Sequence, residues 1–277
     1  MLHRAAVLGS PVSHSLSPSL HRAGYAACGL TGWRYEPIEC DAAALPPLVA
    51  GSGPEWAGFS VTMPGKAAAA ATADQRSPRV AALGVANTLV RRDGGWLAEN
   101  TDVDGLIGAL RAAGAPAPRT ALLLGGGGTA AAVLAALAEL GATDVVVAGR
   151  RPQSTAAAVA LGEQLGLPTR AIGWEFGPIG DAADAADLVV STVPPGAADA
   201  LAERLRAVPT LFDIIYYPWP TPLAASGVPG RITVTGLDML LHQAFRQFEL
   251  ITGVPAPVQA MRAGLRVGSG TDLPLPV

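Results

Sequence analysis

Along the chain, short β-rich apolar runs alternate with Ala-rich stretches of helical period, and this alternation predicts an α/β protein. The rhythm is most regular after residue 119. Residues 120–124 (Thr-Ala-Leu-Leu-Leu) predict a strand, four glycines at 125–128 a turn, 129–140 a helix, and 144–148 (Asp-Val-Val-Val-Ala) the next strand. A helix near 153–165 follows, then β-rich runs at 187–191, 210–214 and 231–235. This succession predicts a parallel, doubly wound sheet. The first hundred residues predict a second α/β unit, with strands at 5–8, 33–38 and 56–61, helices at 18–28 and 67–71, and a hairpin over 89–98. Segments 237–251 and 257–267 are helical in pattern, and the Gly, Ser and Pro-rich tail after Gly268 predicts fraying.

Composition narrows the classes of function. A chain of 277 residues holds two domains of ordinary size, and with half its residues hydrophobic it supplies their cores. A net charge of −3 argues against nucleic acid as the main partner and leaves a small molecule. Cys28 and Cys40 are too few for a disulfide framework, and no Cys/His cluster has metal-site spacing. Together with an N-terminus that lacks the features of a signal peptide, this suits a reducing cytoplasm. The apolar stretch at 121–142 approaches membrane-spanning length, but it contains the glycine run and Glu139, and reads as strand, turn and helix.

That stretch also carries the first candidate chemistry. Between a strand and a helix, Gly125-Gly126-Gly127-Gly128-Thr129 lets backbone approach a pyrophosphate at the helix N-terminus. The end of the second strand separates the two nicotinamide dinucleotides, since NAD binders place an acid there for the ribose 2′-hydroxyl. Here it reads Gly149-Arg150-Arg151, and two guanidiniums suit a 2′-phosphate. Asp144 opens that strand and stands at the wrong end.

The other candidates lie in the first unit. Against eighteen arginines the chain has one lysine, Lys66, placed after Val61-Thr62-Met63-Pro64-Gly65 and opening the helical run 67–71. Lysine can surrender its proton whereas arginine does not, and the positive end of a helix disfavours a cation, so Lys66 is a candidate general base. The chain's two asparagines, Asn87 and Asn100, each precede a threonine, and an amide both donates to and accepts from hydroxyls. Ser15 and Ser17 sit between a strand and a helix where hydroxyls could face a ligand, and Ser17 before Pro18 equally suits a helix N-cap.

Taken in order, these segments resemble the shikimate dehydrogenase family over residues 5–260. The resemblance rests on Gly-x-Pro-x-x-His-Ser-x-Ser-Pro at 9–18, Val-Thr-Met-Pro-x-Lys at 61–66, Ala-Asn-Thr-Leu at 86–89 and Asn-Thr-Asp at 100–102. It continues through the glycine turn, through 213–216 ahead of Thr221-Pro222-Leu223, and through Gly236-Leu-Asp-Met-Leu-Leu-His-Gln243. Departures are Ser60 and Gly149, where asparagine is common, and Gly65, where a bulkier residue would be expected to tighten the turn carrying Lys66.

The resemblance implies two domains. Residues 1–102 with 238–277 would form a substrate domain, residues 103–237 a Rossmann-type NADP domain, and the hydride would pass in a cleft between them. It implies Lys66 and Asp102 as the catalytic pair, and Ser15, Ser17, Thr62, Lys66, Asn87, Asp102, Tyr216 and Gln243 as substrate contacts. NADP would meet Gly125, Gly126, Gly127, Gly128, Thr129, Gly149, Arg150, Arg151, Thr192, Val193, Ile214 and Gly236. The implied reaction is NADPH-dependent reduction of 3-dehydroshikimate to shikimate on the route to chorismate and the aromatic amino acids, in a cytoplasmic monomer or homodimer with no metal. Quinate as substrate, for one acid or both, is the nearest alternative. A non-catalytic sensor would need neither Lys66 nor Asp102, and a folate-linked dehydrogenase would leave Ser15, Ser17 and residues 100–102 unexplained.

Overall fold

The computed structural model describes residues 2–277, which fall into two compact units, residues up to 105 with 240–275, and residues 106–239. In the first unit the chain runs β1 (His3–Gly9), α1 (Ser17–Ala27), β2 (Trp33–Glu39), α2 (Leu45–Ala50), β3 (Trp56–Val61), α3 (Lys66–Thr72), β4 (Gln75–Arg76), α4 (Pro78–Leu83), β5 (Thr88–Arg92) and β6 (Gly95–Glu99). The sheet has order β2-β1-β3-β5-β6-β4. Its β1–β2 and β1–β3 pairs are parallel, and β5 runs antiparallel to both β3 and β6. The β5–β6 hairpin turns at Asp93-Gly94, where both residues have positive φ (47° and 81°), the geometry that a tight two-residue turn demands and that Asp-Gly supplies.

Helix α5 (Asp102–Ala112) leads out of this unit, and α10 (Gly236–Thr252) leads back into it, followed by α11 (Val258–Ser269). α11 lies close against α1 because glycines face it: a Cβ at Gly264 would stand 2.6 Å from the Ser19 carbonyl, and one at Gly268 2.6 Å from Ser19 Oγ. Behind the sheet, Phe59 is fully buried between Trp56 and Trp96, with centroids 4.9 and 5.1 Å away. The tail beyond residue 270 has no regular element, yet it is tied down: Arg266 Nη2 donates to the carbonyls of Leu273 and Pro274, and Leu275 is fully buried. The fraying expected of that tail is corrected by those anchors.

The second unit runs β7 (Thr120–Leu124), α6 (Gly128–Glu139), β8 (Asp144–Ala148), α7 (Pro152–Gln164), β9 (Thr169–Ile172), α8 (Phe176–Asp184), β10 (Leu188–Ser191), β11 (Thr210–Asp213), α9 (Pro222–Ala225) and β12 (Ile232–Thr235). All five strand pairs are parallel, in the order β12-β11-β10-β7-β8-β9. Numbered within the unit this is 6-5-4-1-2-3, the order of a doubly wound dinucleotide-binding sheet. Leu122, Leu123 and Leu124 are fully buried, as a strand covered on both faces requires. The apolar stretch at 121–142 is therefore strand, turn and buried helix, and among the described residues no helix is long and apolar enough to cross a membrane.

Candidate active site

In the first unit, the C-terminal ends of β1 and β3 carry the loops that hold the candidate side chains. Thr62 N donates to the Leu8 carbonyl at 2.8 Å and Ser10 N to the Met63 carbonyl at 3.0 Å. Gly9 permits that approach, since a Cβ there would stand 2.3 Å from Thr62 Cγ2. Gly65 N then donates to the Thr62 carbonyl at 2.9 Å, and Lys66 opens α3. A Cβ at Gly65 would lie 3.0 Å from both Leu45 and Val61. The turn is thus packed and hydrogen-bonded, which corrects the expectation that glycine loosens it.

Lys66 Nζ donates to Asp102 Oδ2 at 2.6 Å across thirty-six positions of sequence, with the lysine side chain 20% and the aspartate 8% exposed. Asp102 is the first residue of α5, where the positive helix end favours a carboxylate. Its backbone N–H donates to Asn100 Oδ1, and Asn100 Nδ2 donates to the Val85 carbonyl, so this second asparagine shapes the loop that presents Asp102. Asn87 is buried and reaches the other carboxylate oxygen: its Nδ2 lies 2.9 Å from Asp102 Oδ1, 2.9 Å from Gln243 Oε1 and 3.0 Å from Thr101 Oγ1. Two N–H groups thus face three acceptors, and the ionised one competes best. Asn87 Oδ1 accepts from Thr101 N at 2.7 Å and from Thr88 Oγ1 at 2.9 Å. Because Gln243 turns its carbonyl toward Asn87, its Nε2 is left to donate elsewhere.

The serines are less alike than their spacing suggests. Ser15 is half-buried, and its Oγ accepts from Ser17 N at 3.4 Å. Ser17 is buried as the first residue of α1 and makes no capping hydrogen bond, which corrects the N-cap alternative. Lys66, Asp102, Asn87 and Gln243 are therefore brought into one hydrogen-bonded cluster, with Thr62 on the turn beside it. Tyr216 belongs to the second unit, partly exposed beside Gly236. Thr88, Thr101, Ser60, Gln247 and Tyr35 join the cluster without having been singled out for it. Gln247 had a sequence signal: it stands one helical turn after Gln243, and two buried amides on one face of a helix need partners.

In the second unit the glycine turn lies where the strand order reverses, between β7 and β10. Gly125 has φ +104°, donates its N–H to the Ala148 carbonyl, and leaves no room for a side chain, since a Cβ would stand 2.6 Å from Thr192 Oγ1 and 3.2 Å from Val193. A Cβ at Gly126 would meet the Ser154 carbonyl at 2.7 Å, whereas Gly127 and Gly128 face open space. Thr129 follows in the first turn of α6, whose leading N–H groups have no intrahelical acceptor. This cradle fits a pyrophosphate. Arg150 and Arg151 are both exposed just beyond β8, while Asp144 lies at its far end. A Cβ at Gly149 would stand 2.6 Å from Thr155 Cγ2, so a larger residue there requires the Thr155 side chain to shift.

The remaining residues of this unit form one corner. Ile214 N donates to the Ser191 carbonyl, and Gly236 lies so close to the Ile214 carbonyl that a Cβ would stand 1.9 Å from its oxygen. Asp213 Oδ2 accepts from Thr221 Oγ1 at 2.7 Å, which ties the two segments together; burial pushes the Asp213 carboxyl up from its ordinary value. Thr235 and Asp238 cap α10 reciprocally, Thr235 N and Oγ1 each donating to Asp238 Oδ2 at 2.8 Å and Asp238 N donating back to Thr235 Oγ1.

Comparison with known proteins identifies the family. Residues 7–89 match the shikimate dehydrogenase substrate binding domain, residues 236–266 the shikimate 5′-dehydrogenase C-terminal domain, and residues 119–213 the coenzyme F420-dependent NADP oxidoreductase family. A shikimate dehydrogenase (NADP(+)) of Methylobacterium radiotolerans is 40% identical, the match covering 92% of either chain. The crystal structure of Mycobacterium tuberculosis shikimate dehydrogenase superimposes with a TM-score of 0.90 at 53% identity, over 96% of this chain and 99% of that one. That of the Thermus thermophilus enzyme in complex with NADP(H) and shikimate gives 0.83 at 34% identity, over 97% and 100%. From its N-terminal loops to its returning C-terminal helices, this chain belongs to the shikimate dehydrogenase family.

Proposed function

We propose that the chain catalyses the reversible NADPH-dependent reduction of 3-dehydroshikimate to shikimate, with Lys66 and Asp102 as its proton-transfer pair. The observation that carries this reading is the 2.6 Å contact between the only lysine and the first carboxylate of α5, joined to the amides of Asn87 and Gln243. Reduced nicotinamide, when bound, supplies a hydride to the carbonyl carbon. The oxygen left behind needs a proton in the same transition state, and the Lys66 ammonium donates it; in the oxidation direction the amine takes the proton back. Asp102 keeps the flexible lysine chain in one place.

Vicinal hydroxyls of a polyol acid need groups that both donate and accept, which Gln243, Thr62 and Ser15 supply, with Ser17, Asn87 and Tyr216 as further contacts. For the cofactor, Gly125 to Gly128 and Thr129 would hold the pyrophosphate, Gly149, Arg150 and Arg151 the 2′-phosphorylated ribose, and Thr192, Val193, Ile214 and Gly236 the remaining length of the dinucleotide. Activity in the cytoplasm as a monomer or homodimer belongs to the same reading.

The test is a comparison of kcat/KM for shikimate and quinate, each with NADP and NAD. Shikimate with NADP is expected to be the best of the four combinations, and faster turnover of quinate would replace the acid in this reading.

A further inference from the structure

The Lys66–Asp102 pair stands at one end of a line of hydrogen bonds buried in the first unit. From the far end, the Tyr35 hydroxyl donates to Ser60 Oγ at 2.7 Å, and Ser60 Oγ donates to Gln247 Oε1 at 2.9 Å. Gln247 Nε2 donates to Thr88 Oγ1 at 3.0 Å and to the Asn87 backbone carbonyl at 3.2 Å. Thr88 Oγ1 donates to Asn87 Oδ1, and Asn87 Nδ2 to Asp102 Oδ1, each at 2.9 Å. Every link has its donor on the Tyr35 side and its acceptor on the Asp102 side.

Two groups fix that direction. The Asp102 carboxylate can only accept, which orients Asn87. The Asn87 backbone carbonyl can also only accept, so the Gln247 amide must turn its Nε2 toward it and its Oε1 toward Ser60. A reversed amide would set two carbonyl oxygens against each other and leave the Ser60 proton without an acceptor. None of these six residues is more than 6% exposed, so water cannot substitute for a missing member. Dipoles aligned head to tail in so dry an interior reinforce one another.

We infer that Gln247 is a positioning residue for the reaction: it joins the Tyr35 and Ser60 hydroxyls to Thr88 and Asn87, and so fixes the Asn87 amide that holds Asp102 against Lys66. The inference rests on the reading of Lys66 and Asp102 as the proton-transfer pair. Gln247 acts through Asn87 and touches neither Lys66 nor Asp102 itself.

Thr88→Val and Gln247→Leu cut the line at nearly constant volume, Thr88→Ser keeps the hydroxyl, and Tyr35→Phe removes only the first donor. Assayed with shikimate and NADP, the first two are expected to lower kcat about tenfold with KM for shikimate within about twofold, and Thr88→Ser to regain most of the loss. Since the chain has two asparagines, labelling with 15N-asparagine gives two side-chain amide pairs, and that of Asn87 should move in Thr88→Val and return in Thr88→Ser. Folded Thr88→Val with parental kcat, or a loss that Thr88→Ser shares, overturns the inference. Where the central variants do not fold, Tyr35→Phe decides, and parental kcat with an unmoved Asn87 resonance overturns it. Lys66→Ala is measured alongside: if it keeps parental kcat, the proton-transfer reading falls and takes the inference with it, whereas its loss beside a fully active Thr88→Val sinks the inference alone.

Discussion

Lys66 and Asp102 each open a helix, α3 and α5, and their charged ends meet at 2.6 Å. The positive helix end that favours the carboxylate opposes the ammonium, so the lysine depends on its partner more than a surface lysine would. An ion pair that only stabilises the loop and one that moves a proton predict different losses.

If Lys66 transfers a proton, Lys66→Ala lowers kcat by about two to four orders of magnitude, and Lys66→Arg does no better, because a guanidinium keeps the charge but does not release its proton. A purely structural ion pair would instead be rescued by arginine. Asp102→Asn should lower kcat while shikimate still binds. Steady-state kinetics with circular dichroism of each variant check these outcomes, and a Lys66→Arg enzyme near parental kcat would remove proton transfer from the assignment.

The glycine turn allows a comparison within four residues. A methyl group at Gly126 meets the Ser154 carbonyl at 2.7 Å, so Gly126→Ala should lower the melting temperature even without cofactor. A methyl group at Gly127 meets nothing within 4 Å, so Gly127→Ala should melt like the parent yet bind NADP more weakly, because the backbone can no longer approach the pyrophosphate. Calorimetry of ligand-free and NADP-saturated protein separates the two effects. Equal NADP affinity in Gly127→Ala and parent would place the pyrophosphate elsewhere.

Much of this was legible because local pattern and tertiary need coincide. The run 120–148 is strand, turn, helix and strand in sequence and in structure, since each segment's apolar residues are buried in the form their spacing favours. Lys66 stood out as a solitary lysine, and Asp102 through Asn-Thr-Asp. β9 and α8 have no counterpart among the sequence-predicted elements. β9 is a four-residue edge strand with two exposed positions, and α8 carries Gly177, Pro178 and Gly180, which read as a turn although Ile179 and Ala183 bury it. α5 was also hidden, falling where the boundary between units was expected. The line from Tyr35 to Asn87 was illegible for another reason. Ser60 and Gln247 are 187 positions apart, and nothing in either neighbourhood announces the other.

In the proposed reading, Arg150 and Arg151 carry the choice of dinucleotide. Both are exposed beyond β8 with no carboxylate at that strand end, so replacing both by glutamine should raise KM for NADP by about ten- to a hundredfold and leave NAD nearly unchanged. The parental preference for NADP should also weaken with added salt, because charge-assisted contacts at an exposed site are screened. Kinetics with both dinucleotides at low and high ionic strength check this, and a parallel loss with NAD would assign the arginines a role other than binding the 2′-phosphate.

His21 predicts a pH dependence of stability unrelated to catalysis. It is fully buried, stacked on Tyr35 with centroids 4.2 Å apart, and near Tyr25 and Phe248; neither ring nitrogen has a hydrogen-bond partner among the described residues. Burial lowers its pKa from 6.5 to about 3, an effect that the neighbouring Gln247 only partly opposes. As pH falls through 6.5 the unfolded chain takes up a proton at this site, while the folded chain does so only near 3. Unfolding therefore binds a proton across that window, and the stability present above pH 6.5 drains away below it, by about 1.4 kcal/mol per pH unit from this group. His21→Phe keeps an aromatic ring against Tyr35 and has nothing to protonate. Urea unfolding at pH 7, 6 and 5 should show the parent losing stability faster than the variant by that slope, and parallel losses would mean that the imidazole takes up its proton without unfolding.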